Sequence, residues 1–360
     1  MNKNNYVAIM AGGIGSRFWP VSRLEYPKQF LDILNCGKTL IQSTYDRFST
    51  FIPLENIFVV TSFHYRELVI KQLPQLNPDN IVCEPSRKNT APCIAYISYK
   101  LQQINPNCNL ICAPADHLIV DTISFTKACL EALGFTKKNN ALITLGIKPF
   151  EPKTGYGYIQ FEEHCVSDNI YKVKTFTEKP DLELARTFIA SGDFLWNAGI
   201  FVWKTKNIIE AFEKYLPEIH ELFDGANAAM NSKKEKEVID LIYPLCINIS
   251  IDYGILEKAD NVYVIPSAFG WSDLGTWGSA YDNIEKDYME NAVTGGDVIL
   301  FDCQRNVIHK NEKKLMLLQG LEDFIIVDTK DVLLICKKEK EQNIKEYLTE
   351  VKRNIGEQYL

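Results

Sequence analysis

With 360 residues, 46% of them hydrophobic and 24% charged, the chain can form a large domain plus a lesser one and is too apolar to be disordered. A formal net charge of −7 lacks the basic excess by which nucleic-acid binders release counterions, though a local cluster of Lys and Arg can still hold a phosphate. The opening Met1-Asn2-Lys3-Asn4-Asn5 has neither the apolar core nor the cleavage site of a signal peptide, and no apolar run reaches bilayer length.

From the start, short apolar runs alternate with helical periodicity. Residues 6–10, 57–61, 81–83, 110–113 and 141–145 read as buried strands, and 40–48, 65–73, 91–104 and 125–137 as amphipathic helices. This alternation predicts a mostly parallel sheet covered on both faces, with ligands at the carboxyl ends of its strands. After Phe150 the pattern changes. Residues 155–161 and 170–178 read as exposed or antiparallel strands around a Ser167-Asp168-Asn169 turn, Asp181 as a helix cap over 182–190, and 198–203 as another strand, with helix to about Tyr243. Beyond Tyr288, β-rich segments at 298–301, 307–309, 314–318, 324–328 and 332–336 predict a small β-domain in the manner of a stub of β-helix. The charge run 337–341 opens a terminal helix through Arg353, expected to present a solvated face. The ten cysteines are scattered without a zinc spacing and are expected to be reduced and mostly buried, as in a cytosolic protein.

The strongest motif follows the first strand: Ala11-Gly12-Gly13-Ile14-Gly15-Ser16-Arg17-Phe18-Trp19-Pro20. Gly12, Gly13 and Gly15 let backbone approach a phosphate chain, and the N–H groups through Ser16 can cradle it. A dinucleotide fingerprint fails, because Phe18 stands where a third glycine belongs and Pro20 disfavours the helix behind it. Gly37-Lys38-Thr39 mimics a P-loop end, but Asp32 replaces the first glycine. What remains is a glycine loop with two cations, Arg17 and Lys28, the latter fixed by Pro27 in Pro27-Lys28-Gln29-Phe30.

These residues resemble the signature of sugar-nucleotide pyrophosphorylases, and in particular of the mannose-1-phosphate guanylyltransferases. The resemblance continues through Glu84-Pro85, Arg87-Lys88-Asn89-Thr90-Ala91-Pro92, Pro114-Ala115-Asp116-His117, Thr154-Gly155-Tyr156-Gly157-Tyr158-Ile159, Glu178-Lys179-Pro180, Trp196-Asn197-Ala198-Gly199, Ser250-Ile251-Asp252-Tyr253 and Trp271-Ser272-Asp273-Leu274-Gly275-Thr276-Trp277. It implies a Rossmann-like, mostly parallel sheet flanked by helices, with a short β-helix-like C-terminal domain and a terminal helix. The expected division is a nucleotidyltransferase domain over 1–288 (nucleotide half about 1–150, sugar half about 151–288) and a β-rich domain over 289–360. Some relatives carry a further isomerase domain of cupin type, for which this chain is too short, so a single activity is expected.

The resemblance also assigns roles. Arg17 and Lys28 stabilise charge on the triphosphate, with Lys179 as the third catalytic cation. Gly12, Gly13, Gly15, Ser16, Glu84, Asn89 and Thr90 are expected at the nucleotide. By donor pattern Glu84 is the candidate carboxylate for the N1–H and N2–H₂ of guanine, the alternatives being that it caps a helix or pairs with Arg87 and that main-chain groups read the base. Gly155, Tyr156, Gly157, Glu178, Lys179 and Asn197 receive the sugar phosphate. Asp116 and Asp273 supply the two carboxylates that suffice for Mg²⁺, and as exposed loop residues they are expected to matter little for folding. The nucleophile is itself a phosphate oxygen, so no general base is needed and His117 is expected to be structural. The activity so implied joins GTP to mannose 1-phosphate, in the cytoplasm, with neither nucleic acid nor membrane as partner and a homodimer as the assembly considered. The rivals are a pyrophosphorylase for another base or hexose, a glycosyltransferase, disfavoured because Leu118 breaks an Asp-x-Asp pair, and a non-catalytic GDP-sugar sensor.

Overall fold

The computed structural model describes residues 1–311 and 313–360. In chain order its strands begin with β1 (Asn5–Ala11), β2 (Ile57–Ser62), β3 (Ile81–Glu84), β4 (Asn109–Pro114), the two-residue β5 (Leu118–Ile119) and β6 (Leu142–Ile147). There follow β7 (Gly157–Ser167), β8 (Ile170–Glu178), β9 (Phe194–Lys204), β10 (Val262–Ser267) and the two-residue β11 (Trp271–Ser272). The last are β12 (Ala292–Thr294), β13 (Val298–Phe301), β14 (Val307–Lys310), β15 (Met316–Gln319), β16 (Phe324–Asp328) and β17 (Leu333–Lys337). The helices are α1 (Leu40–Ser49), α2 (Arg66–Gln72), α3 (Thr90–Ile104), α4 (Thr122–Thr136), α5 (Leu182–Ser191), α6 (Thr205–Tyr215), α7 (Pro217–Gly225), α8 (Glu235–Ile242), α9 (Trp277–Asn283) and α10 (Ile344–Asn354). Among the described residues, no helix is long and apolar enough to cross a membrane.

The chain forms two compact units. The first comprises Met1–Gly12, Tyr45–Ala115 and Ile119–Trp271, the second Gly13–Thr44, Asp116–Leu118 and Ser272–Leu360.

The first unit is built on a nine-stranded sheet in the order β3-β2-β1-β4-β9-β6-β10-β8-β7. Strands β1, β2 and β4 are buried at nearly every position, as expected where helices cover both faces. The β3-β2-β1-β4 block is parallel, as is the β6–β10 pair. Strand β9 runs antiparallel to both β4 and β6, and the β7–β8 hairpin is antiparallel too, so the sheet is mixed. Composition cannot reveal the reversal at β9, because a strand buried on both faces reads the same in either direction. Helix ends follow their caps: Asp121 accepts from the Ile123 and Ser124 amides, and Asp181, as expected, from the Leu184 amide. The helical side of the core is aromatic, with the Tyr96 and Tyr99 rings stacked on Phe223.

In the second unit, β12, β14 and β16 pair in parallel with β17 antiparallel at the end, while β13 and β15 form a second parallel pair. Successive parallel rungs in two small sheets match the β-helix-like expectation. Its core joins Phe18 and Trp19, from the glycine-loop segment, to Leu274, Trp277, Val307, Ile325 and Ile344. The charged run after β17 forms a 3-10 turn, Lys338–Asn343, so the terminal α-helix starts at Ile344 and not at the charges. It is also less solvated than expected, because Ile344 is fully buried and Leu348 and Val351 pack on the same cluster.

Candidate active site

In the second unit the glycine loop is held by its own neighbours. Gly15 sits at φ +67°, and a β-carbon there would collide with Lys28 Cβ, so both backbone conformation and close approach require glycine. Ser16–Phe18 makes only a 3-10 turn, in keeping with Pro20. Ser22 Oγ donates to the Ile14 carbonyl at 2.6 Å, and Gln29 Nε2 to the Gly13 carbonyl at 3.0 Å. Among the described residues, the buried Nε of Arg17 has no hydrogen-bond partner, which leaves a donor for an anion.

Pro27 leads into the 3-10 turn Lys28–Phe30, and Lys28 is only 5% exposed. Its ammonium meets Asp116 Oδ2 at 2.9 Å, the Asp273 carbonyl at 3.0 Å and the Leu274 carbonyl at 2.9 Å. An ammonium has three protons, and three protein oxygens take them. Burial pushes the Asp116 carboxyl up, but the charges of Lys28 and His117 outweigh it and hold the group below the usual carboxylate range. Asp116 is therefore more than the exposed loop carboxylate expected from sequence, since it neutralises a buried cation. Asp273 Oδ1 accepts from the Gly275 amide at 2.9 Å, in a turn where Leu274 adopts φ +43°.

Among the described residues, no group of three or more His, Cys, Asp and Glu converges as a closed metal cage. The chemistry of the donors nevertheless suits a hard cation that keeps waters and borrows substrate oxygens: the Asp116 carboxylate and the main-chain carbonyl of Asp273 meet at the Lys28 ammonium, so both aspartates belong to one cluster of oxygen donors.

In the first unit, Glu84 ends β3 almost fully buried. The Tyr243 hydroxyl donates to its Oε1 in a short hydrogen bond, and a β-carbon on Gly12 would stand 3.3 Å from its Oε2. Burial pushes the Glu84 carboxyl up to about 7, despite the opposing hydrogen bonds from Tyr243 and Cys93. Asn89, at φ +68°, caps α3 through the Thr90 amide. Thr90 Oγ1 in turn accepts from the Ile251 amide at 2.9 Å, tying this loop to residues 249–251.

A second cluster of the first unit gathers where β7, β8 and β9 meet. Gly157 pairs with Glu178 across the β7–β8 ladder, and a β-carbon on Gly157 would collide with Glu178 Oε2. Glu178 Oε1 takes Lys179 Nζ at 2.7 Å, and the Lys179 amide donates to the Tyr156 carbonyl at 3.1 Å. Asn197 Oδ1 accepts from Thr144 Oγ1 at 2.8 Å and from the Gly199 amide at 3.1 Å, while its Nδ2 donates to Asp252 Oδ1 at 2.9 Å. Burial and the charge of Glu178 push the Asp252 carboxyl up to about 7. The Tyr156 ring stands edge-on between Trp196 and Trp271, with centroids 5.1 and 5.2 Å away.

Residues 6–290 match the nucleotidyl transferase family model. The chain belongs to that family. A second match, to the MannoseP isomerase/GMP-like beta-helix domain, covers residues 296–351 of the transferase. The transferase is 36% identical over 357 residues to mannose-1-phosphate guanylyltransferase RfbM of Salmonella typhimurium, covering 98% of this chain and 73% of the relative. It is 34% identical over 355 residues to the mannose-1-phosphate guanylyltransferase of Escherichia coli K12, covering 96% and 73%. The crystal structure of a mannose-1-phosphate geranyltransferase from Thermus thermophilus superimposes with a TM-score of 0.87 at 28% identity, over 97% of this chain and 99% of that one. The sugar-nucleotide pyrophosphorylase resemblance read from the motifs is thus upheld, and such nucleotidyl transferases generally use a divalent metal.

Within its two units the transferase brings together Lys28, Gly15, Asp116 and the Asp273 turn, then Gly12 with Glu84, and then Gly157, Glu178, Lys179 and Asn197. Among the described residues, nothing lies within 4 Å of the position a β-carbon on Gly155 would take. Asp252, Thr144 and Tyr243 were not among the candidates from sequence. Asp252 lay inside the quoted Ser250–Tyr253 motif, a buried-strand threonine carries no signal of its own, and Tyr243 only marked a helix end.

Proposed function

We propose that this transferase moves GMP from GTP to α-D-mannose 1-phosphate, giving GDP-mannose and pyrophosphate. A phosphate oxygen of the sugar 1-phosphate attacks the α-phosphorus in line. One P–O bond forms, the bond to the β-phosphate bridging oxygen breaks, and pyrophosphate leaves with the electron pair. The observation that carries the reading is the cluster of Gly157, Glu178, Lys179 and Asn197. It sets a carboxylate against an ammonium, with the carboxylate and an amide residue closing on the same glycine, a donor and acceptor set that suits sugar hydroxyls beside a phosphate. The names of the relatives that match nearly the whole chain support the substrate assignment.

In this reading Asp116 and Asp273 hold Mg²⁺, which when bound neutralises charge between the two anionic substrates. Arg17 offers its unpartnered Nε to the triphosphate, and Lys28 stabilises developing charge while organising the metal ligands. Gly12, Gly13, Gly15 and Ser16 line the phosphate chain, and Glu84, Asn89 and Thr90 face the base. The catalytic domain would run over 1–288, with the β-rich domain over 289–360. The enzyme would work in the cytoplasm, with a homodimer as the assembly to be checked by light scattering.

The test incubates the protein and Mg²⁺ with each nucleoside triphosphate and each hexose 1-phosphate and measures pyrophosphate. GTP with mannose 1-phosphate should give the highest kcat/KM. Absence of release from every pair would overturn the proposal.

A further inference from the structure

A primary amide looks nearly the same from both ends, so an asparagine presents a defined donor or acceptor only if its surroundings fix which end is which. Asn197 is fixed at both ends. Its oxygen is filled by the Thr144 hydroxyl and the Gly199 amide, and one of its two amide protons goes to Asp252 Oδ1. Turning the amide over would set its NH₂ against the Gly199 N–H and its oxygen against an ionised Asp252 carboxylate; the Thr144 hydroxyl can serve either end, so Gly199 and Asp252 fix the orientation. What Asn197 has left to offer is a single N–H, on a residue that borders the same glycine as the Glu178 carboxylate: a β-carbon on Gly157 would meet both Glu178 Oε2 and Asn197 Cβ.

We infer that Asp252 is a positioning residue for the hexose 1-phosphate: it locks Asn197 as a hydrogen-bond donor and so sets which sugar oxygen, as an acceptor, the site selects. Asp252 opens a one-turn π-helix, Asp252–Leu256, and the preceding Ile251 amide is pinned to Thr90 Oγ1, so its carboxyl is carried on fixed backbone. The role needs only an acceptor at Oδ1, which the carboxyl supplies whether protonated or ionised. Asp252 itself acts through Asn197. This inference deepens the proposed function, since it concerns how that sugar-phosphate cluster discriminates its ligand.

Two substitutions separate the acceptor from the charge. Asp252→Leu removes both, and Asp252→Asn keeps a carbonyl that can accept the Asn197 proton. Losing the lock should raise KM for mannose 1-phosphate about tenfold in Asp252→Leu, the usual scale for one hydrogen bond, with KM for GTP within about twofold of the original. Selectivity for mannose 1-phosphate over glucose 1-phosphate should fall in parallel, and Asp252→Asn should recover most of both losses. Thr144→Val removes a donor at the other end of the same amide and should reproduce the selectivity loss in part, which keeps the test open should Asp252→Leu fail to fold. An unchanged KM and selectivity in Asp252→Leu, or equal losses in the Asn and Leu variants, would overturn the inference. If the wild type instead prefers another hexose 1-phosphate, the proposed substrate fails while the same comparison, run with that sugar, still decides the role of Asp252.

Discussion

Lys28 spends all three protons on protein oxygens, so whatever disturbs its partners strands a buried charge. Asp116→Asn should abolish most activity and also destabilise the protein by about 2–3 kcal/mol, the low end for a broken buried pair because Asp116 is a quarter exposed. Asp273→Asn should lose comparable activity with a smaller change in stability, since Lys28 is held by the main chain of residue 273. The double substitution should cost little more activity than either single one. Urea melts and initial rates on the three variants check this, and additive activity losses would show that the two carboxylates do not act as a unit.

Glu84 supports a second expectation at this scale. The paired N1–H and N2–H₂ donors of guanine are matched best by an ionised carboxylate, both of whose oxygens accept, and the Glu84 carboxyl, raised to about 7, is ionised above that pH. KM for GTP should therefore fall as pH rises through about 7 in the wild type and stay flat in Glu84→Gln, which should also lose its preference over ATP. The Tyr243 hydroxyl favours the ionised form, so Tyr243→Phe should move the transition to higher pH. Glu84 was legible in sequence as a carboxylate at a strand end. The partners of Lys28 were not, because two of them are main-chain carbonyls 245 and 246 residues away that carry no side-chain signature.

At the scale of elements, the sugar cluster depends on strands packing closely enough to need a glycine. Gly157→Ala would press its methyl on Glu178 Oε2 and on Asn197. It should raise KM for mannose 1-phosphate about tenfold while KM for GTP holds, and Lys179→Ala should act in the same direction by removing the exposed ammonium. Steady-state kinetics with each substrate varied in turn would show it, and a matched rise in both KM values would point to a general folding defect. Most strand positions, the β7–β8 hairpin and the Asp181 cap were readable from apolar runs and turn chemistry, but β10 and the three-residue β12 were not read. The antiparallel course of β9 was not, because direction is a property of the chain path and not of composition. The packed face of α10 was masked by the charged run before it.

On the scale of the whole molecule, one buried histidine sets an acid limit on the second unit. His309 contacts Thr294 Oγ1 through Nδ1 at 2.8 Å and lies 5.4 Å from the Trp277 ring, and burial pushes its pKa down to about 4. The unfolded chain takes up this proton from about 6.5 downward, while the folded unit resists until about 4. The stability tied to a neutral His309 is therefore complete above about 6.5 and lost as pH falls toward 4, by about 3 kcal/mol in all. Urea unfolding followed by tryptophan fluorescence at pH 7 and pH 4 should show this loss in the wild type and its absence in His309→Asn. Equal acid sensitivity in both would assign the limit to other groups.

The cysteine distribution has a practical consequence. Six of the ten thiols are buried, and burial also pushes the half-exposed Cys83 and Cys336 up, so few of these sulfurs are nucleophilic near neutral pH. Only Cys36 and Cys165 are exposed, and one belongs to each compact unit. Brief treatment with a spin label or a maleimide dye should thus mark the natural sequence at two points without any engineered cysteine. The resulting pair is a spectroscopic ruler from one unit to the other, and reading it with and without GTP or mannose 1-phosphate would reveal whether either ligand changes the separation.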